Sequence, residues 1–158
     1  MIYAYHSLGT ILATTPKCAS TSIVNEFRIA NTKELRKDLV DKLQESRWKV
    51  VGVVRDPIDR FESAYNFFQH GQCGKFPTGS YENIEAFTDA VLAGVYDEHW
   101  EPQSNLLKEC DNYADLETLP LQTKENAVNH IDLVTYRLDE LKAFYASDYK
   151  IRGSAWLL

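Results

Sequence analysis

The chain has 158 residues, 44% apolar, 12% aromatic and 25% charged, the composition of one soluble globular domain and not of a collagen, a coiled coil or a low-complexity tract. Seventeen Lys and Arg against 23 Asp and Glu give a net charge of −6, the wrong sign for coating nucleic acid or an anionic membrane, so an anionic ligand needs a local pocket. Three cysteines, Cys18, Cys73 and Cys110, are an odd number without a pairing rhythm, which argues against a disulfide scaffold and for a reducing, cytoplasmic setting. The first residues, MIYAYHSLGTILATT, lack a basic n-region, a long apolar h-region and an A-x-A pattern, and read as the start of a mature protein. No stretch approaches the roughly eighteen uninterrupted apolar residues of a membrane span.

In chain order, Thr10 to Thr14 is an apolar, β-rich run, Pro16 to Ser22 breaks it, and Ile23, Phe27 and Ala30 follow at helical spacing: strand, loop, helix. Ser20, Thr21 and Ser22 stand where N-caps stand, and their small side chains leave the first-turn N–H groups open. Residues 33 to 46 predict an amphipathic helix with Leu35, Leu39 and Leu43 on one stripe and a solvated charged face. Val50 to Val54 predicts a buried strand, stopped by Arg55-Asp56-Pro57. A helix restarts there with Asp56 as N-cap, Pro57 at the first helical position and Ile58, Phe61, Ala64, Tyr65 and Phe68 as its apolar stripe. Two strand-to-helix units predict a short central parallel sheet between helices, a P-loop-like three-layer α/β/α fold.

Gln69 to Ser80, with three glycines and a proline, reads as a mobile surface loop, and Tyr81 to Ala93 as a helix through Ile84, Phe87 and Val91. Asp97 to Gln103 is irregular. A helix follows from about Leu138 to Ala146, with Ile131 to Val134 a strand or the approach to it. No repeat or linker divides the chain, so residues 1–158 are expected to form one domain.

A strand ending in a loop that opens a helix is an anion site, because unpaired N–H groups and the positive end of the helix dipole converge there. Lys17 stands just before that turn, where its ammonium can fold over an anion cradled by the amides of Ala19 to Ser22. The loop is not G-x-x-x-x-G-K-[ST], which disfavours ordinary kinases and NTPases, and Val24 stands where a phosphotyrosine phosphatase loop begun at Cys18 needs an arginine. Arg55 closes the second strand at the same carboxyl edge, where open α/β sheets bind ligands. Ser63, two turns into the next helix, offers a hydroxyl to the same anion, and Arg60 is expected to form a surface salt bridge.

These residues resemble those of sulfotransferases that use 3′-phosphoadenosine-5′-phosphosulfate (PAPS), nearest to the carbohydrate sulfotransferases. Thr15-Pro16-Lys17-Cys18-Ala19-Ser20-Thr21-Ser22 is similar to that family's 5′-phosphosulfate loop, P-K-x-[AG]-[ST]-[TS]-S. Arg55-Asp56-Pro57-x-x-Arg60-x-x-Ser63-x-Tyr65 is similar to its 3′-phosphate motif. His99-Trp100-x-Pro102-Gln103 resembles an H-W-x-P segment of chondroitin-type members, and Tyr145-Ala146-Ser147-Asp148-Tyr149 a Y-x-x-D-[YF] ending. The resemblance implies PAPS as donor substrate, no metal, and a nucleotide site of Lys17, Cys18, Ala19, Ser20, Thr21, Ser22, Arg55 and Ser63, with an acceptor hydroxyl on a carbohydrate. Many relatives are longer, and the Golgi members carry an anchor and stem. Little sequence here is left for an acceptor pocket, which points to a second subunit or a large acceptor to complete the site.

The implied transfer needs a general base. His99 is preferred, from its irregular aromatic-flanked segment, against the bland reading of a structural hydrogen bond beneath Trp100; His70 and Glu26 are the alternatives, while His6 and His130 read as incidental. His70, Cys73 and Cys110 offer one H-x-x-C spacing without a fourth ligand, too little for a zinc site. Cys18 reads as a small packing residue. Two other classes stay open: a non-catalytic nucleotide-binding module of the same fold, and a divergent P-loop kinase that takes ATP with magnesium and ignores a 3′-phosphate.

Overall fold

Two runs of β-branched and aliphatic residues build the centre of the molecule. In the computed structural model, which describes residues 2–7, 9–26, 37–69, 81–119 and 134–155, β2 (Thr10–Thr14) and β3 (Lys49–Val54) pair in parallel with Ile11 opposite Val50. A third parallel strand, β4 (Asn112–Asp115), lies on the far side of β3, with Val51 opposite Asn112. On the other edge β1 (Ile2–Ser7) pairs antiparallel with β2, so the order is β1-β2-β3-β4 and the sheet is mixed rather than wholly parallel. Gly9, with φ +83°, takes the left-handed backbone that the tight β1–β2 connection requires and that a side chain would resist.

Alternation along the strands sends side chains to two faces. Ile11, Ala13, Val50 and Val54 pack on one face with Val40 of α2 (Lys37–Glu45), Leu107 and Ile151. Leu12, Val51, Val53 and Ala114 pack on the other with Ile23 of α1 (Ser20–Glu26) and Leu119. Both faces are therefore covered, as parallel strands without a polar face demand.

Asp56 caps α3 (Pro57–Gln69) as expected, its Oδ1 accepting the N–H of Ile58 at 2.9 Å and of Asp59 at 3.2 Å. Phe61, Ala64 and Phe68 of α3 form a separate aromatic cluster with Phe87 and Val91 of α4 (Ile84–Leu92), Trp100, Leu141 of α6 (Leu138–Phe144) and Tyr145. Helix α4 starts at Ile84 and not at Tyr81, because the Asn83 side chain accepts the N–H of Ala86 at 2.8 Å and sets the cap there. Gln69 is the last residue of α3 rather than the first of a loop, and its Nε2 donates to the Tyr81 carbonyl at 2.6 Å. The segment after Asp97 contains a turn and a short helix, α5 (Gln103–Leu106), and α7 (Ala146–Gly153) follows α6 almost without a break. Val134 is neither strand nor helix. Phe27 and Ala30, residues 33–36 of the second expected helix, the 70–80 loop and residues 131–133 lie outside the described residues. Among the described residues no helix is long and apolar enough to cross a membrane.

Candidate functional site

Because β2 and β3 are parallel neighbours, Thr15 and Arg55 leave the sheet at the same edge. The loop between β2 and α1 is closed by Cys18 N–H to the Thr15 carbonyl at 3.2 Å, with Lys17 (φ 67°) and Ala19 (φ 51°) both left-handed. Two such non-glycine residues within three positions cost about 1–3 kcal/mol each, a strain the surrounding contacts must hold. The loop turns Cys18 inward. Its buried Sγ lies 3.2 Å from Thr15 Oγ1 and donates to Gln103 Oε1 at 3.1 Å, and burial pushes the thiol's pKa up. Cys18 is thus a buried, neutral anchor of the loop. The first helical bond of α1 is Ile23 N–H to the Ala19 carbonyl, 2.9 Å, so the amides of Ser20, Thr21 and Ser22 come before the helical ladder. Thr21 is exposed, Ser20 half-buried and Ser22 buried.

Arg55 meets this loop directly. Its Nη1 donates to the Lys17 carbonyl at 3.1 Å, while Lys17 Nζ lies 4.4 Å from the centre of the Phe67 ring. Burial first, and then repulsion from Arg55, lower the Lys17 pKa to about 8. Two cations therefore crowd one edge of the sheet, at a place where an anion between them would relieve both. Gln103 grips the Arg55 peptide at both ends: Oε1 accepts its N–H at 2.9 Å and Nε2 donates to its carbonyl at 2.9 Å.

His99 meets the same ring. It stacks on Phe67 with centroids 5.1 Å apart and rings 20° from parallel, and meets Phe68 edge-on. Asp97 Oδ1, in a nearly buried carboxylate, accepts both the His99 N–H at 3.0 Å and Nδ1 at 2.5 Å. That contact assigns the hydrogen to Nδ1 and leaves Nε2 as the basic nitrogen of the neutral ring. The partner of His99 is thus Asp97, whose carbonyl also accepts the Trp100 N–H at 3.1 Å, while Trp100 Nε1 donates to the Val95 carbonyl at 2.7 Å. A base oriented by a carboxylate is the arrangement general-base catalysis uses.

The surface salt bridge expected of Arg60 is not what the structure contains. Arg60 is 1% exposed, and its guanidinium donates to the carbonyls of Pro16, Glu98 and Glu101. An arginine on the buried side of α3 has no water to pair with, so it takes the carbonyls that the two irregular segments cannot satisfy themselves. Ser63 is buried and lies three residues from Arg60 and four from Phe67, on the same side of the helix. Glu26 closes α1, and nothing further is described of its side chain; His6 stands in β1, while His70, His130 and Cys73 lie outside the described residues. Among the described residues no group of three His, Cys, Asp or Glu is placed to hold a metal ion.

Sequence reasoning passed over Phe67, Asp97 and the part played by Gln103. It also underrated the tail, where Tyr145 Oη donates to the Trp100 carbonyl at 2.7 Å and the 1%-exposed carboxylate of Asp148 accepts the N–H groups of Gln103 and Ser104, each at 2.8 Å. A scan of protein-family models and searches of curated proteins and solved structures return no match to this chain.

Proposed function

We propose that the protein is a sulfotransferase that moves a sulfuryl group from PAPS to an acceptor hydroxyl, in a P-loop-like fold. The observation that carries this reading is the pairing of Lys17 and Arg55 at the shared edge of β2 and β3, with the Arg55 guanidinium on the Lys17 carbonyl. Lys17 and the loop amides of Ala19 to Ser22 take the 5′-phosphosulfate; Arg55 and Ser63 take the 3′-phosphate that separates this donor from ATP.

In the transfer, the acceptor oxygen forms a bond to sulfur as the bond from sulfur to the 5′-phosphate oxygen breaks. The acceptor proton passes to Nε2 of His99, and the displaced charge stays on the 5′-phosphate of the product, adenosine 3′,5′-bisphosphate. Lys17 stabilises that charge as it grows, which is where a preorganised cation contributes most. Asp97 stabilises the imidazolium that forms on His99. A carbohydrate acceptor follows from the resemblance of the His99-Trp100-x-Pro102 segment.

Titration calorimetry with adenosine 3′,5′-bisphosphate, 5′-AMP and ATP with magnesium tests the reading. Clear preference for the bisphosphate is expected, together with a higher melting temperature in its presence. Equal or absent binding of all three would end it, and preference for ATP with magnesium would favour a kinase.

A further inference from the structure

We propose that Arg60 is a positioning residue: its guanidinium sets the separation of the Lys17 loop from the His99 segment by holding the main chains of both. The inference rests on the function proposed above, but the geometry behind it does not. Nε of Arg60 donates to the carbonyl of Pro16, one residue before Lys17, at 3.0 Å. Nη2 donates to the carbonyl of Glu98, one residue before His99, at 2.8 Å, and Nη1 to that of Glu101, just past Trp100, at 2.8 Å. All three acceptors are backbone atoms, from segments more than eighty residues apart in the chain.

Taking a guanidinium out of water for neutral acceptors alone is costly, and the cost is offset only because each donor meets a carbonyl that would otherwise lack a partner. What the guanidinium adds is direction. Its donors are fixed in one plane, so three bonds on its edges fix the positions of the three peptide groups relative to one another, which a flexible ammonium cannot do. Two turns along the same helix, Phe67 touches the Lys17 ammonium on one hand and stacks on His99 on the other. Helix α3 thus sets the pair twice, through main chains at Arg60 and through side chains at Phe67. A donor–acceptor reaction is sensitive to such a distance, since about an ångström of misplacement costs roughly a hundredfold in rate.

Arg60→Lys keeps the charge and loses the fork, Arg60→Met loses both, and Tyr145→Phe is the control, removing a hydroxyl bond to Trp100 in the same segment without touching the loop. Each protein is checked for folding and melting temperature. The pH dependence of Lys17 acetylation is then followed by mass spectrometry without nucleotide, and sulfuryl transfer is followed with PAPS. In the wild type the Lys17 profile should centre near 8. In folded Arg60→Lys and Arg60→Met it should move toward the ordinary lysine value of 10.5 as the loop leaves Phe67 and Arg55, with kcat down about a hundredfold and KM for PAPS changed far less. Tyr145→Phe should melt lower with its Lys17 profile and kcat intact.

A folded Arg60→Lys with the wild-type profile and wild-type kcat overturns the proposal, as does an equal effect from Tyr145→Phe or the failure of both Arg60 variants to fold. If the wild type shows no transfer, the sulfotransferase reading fails, and the Lys17 profiles, read without nucleotide, still decide whether Arg60 places the loop.

Discussion

Lys17 carries the sharpest consequence at the scale of one side chain. Its pKa near 8 means that between pH 8 and 10.5 the folded protein binds fewer protons at this site than the unfolded chain, so stability rises with pH across that window. Below pH 8 the ammonium is charged in both states and its burial beside Arg55 opposes folding. A bound phosphate group reverses the balance by giving the ammonium a counter-ion. Binding of adenosine 3′,5′-bisphosphate at pH 9 should therefore take up nearly one proton, about 0.9 if the lysine regains its ordinary pKa. Calorimetry in two buffers of different ionisation enthalpy measures this directly. Lys17→Met should abolish the uptake and lower kcat by roughly a hundredfold or more, the usual cost of removing one preorganised donor. Wild-type binding without proton uptake would mean that the ligand sits away from Lys17.

At the scale of elements, the joint between α5 and α7 supports the edge where Lys17 and Arg55 meet. Asp148 holds the Gln103 and Ser104 amides, Gln103 holds the Arg55 peptide and the Cys18 thiol, and Arg55 reaches the Lys17 carbonyl. Asp148→Ala leaves two amides of a short helix without their acceptor and should cost about 3 kcal/mol, read from urea unfolding, with weaker bisphosphate binding although the residue lies behind the site. Unchanged stability would show that water replaces the carboxylate at no cost. This joint also marks what the sequence made legible. The strands from Thr10 and Val50 and the cap at Asp56 were readable, because an apolar run cut by proline and a capping carboxylate is a local signal. Lys17 and Arg55 could be set at one sheet edge for the same reason. β4 was not readable, since Asn112-Tyr113-Ala114-Asp115 has one fully buried side chain and owes its strand to pairing with β3. β1 depends likewise on β2. Arg60, Gln103 and Asp148 gave no sign of burial, because a polar residue enters a core only when its partners, here about 40 to 50 positions away, are already in place.

For the molecule as a whole, the aromatic cluster and the sheet should unfold as one unit. Helix α3 leaves β3 after only Arg55 and Asp56, and α7 contributes Tyr149 to the aromatic cluster and Ile151 to the packing under the sheet. Arg152 of α7 adds bonds at 2.7 Å to both Asp56, the cap of α3, and Asp115, the end of β4. No flexible joint separates the two regions along these connections, so opening one strips contacts from the other. Trp100 reports on the aromatic cluster and Trp48 on the sheet face, which makes the idea measurable. In a Trp48→Phe, Trp156→Phe variant, urea unfolding followed by Trp100 fluorescence should coincide with that followed by far-UV circular dichroism. Phe87, fully buried against Phe61, Tyr65, Tyr81 and Trp100, offers the stronger test. Phe87→Ala should remove about 3–5 kcal/mol and shift both signals together, even though the residue lies in the helical cluster and not under the sheet. Two separated transitions, with Trp100 fluorescence lost before a second step in circular dichroism, would show instead that the helical cluster is an independent unit leaning on a sheet that stands alone.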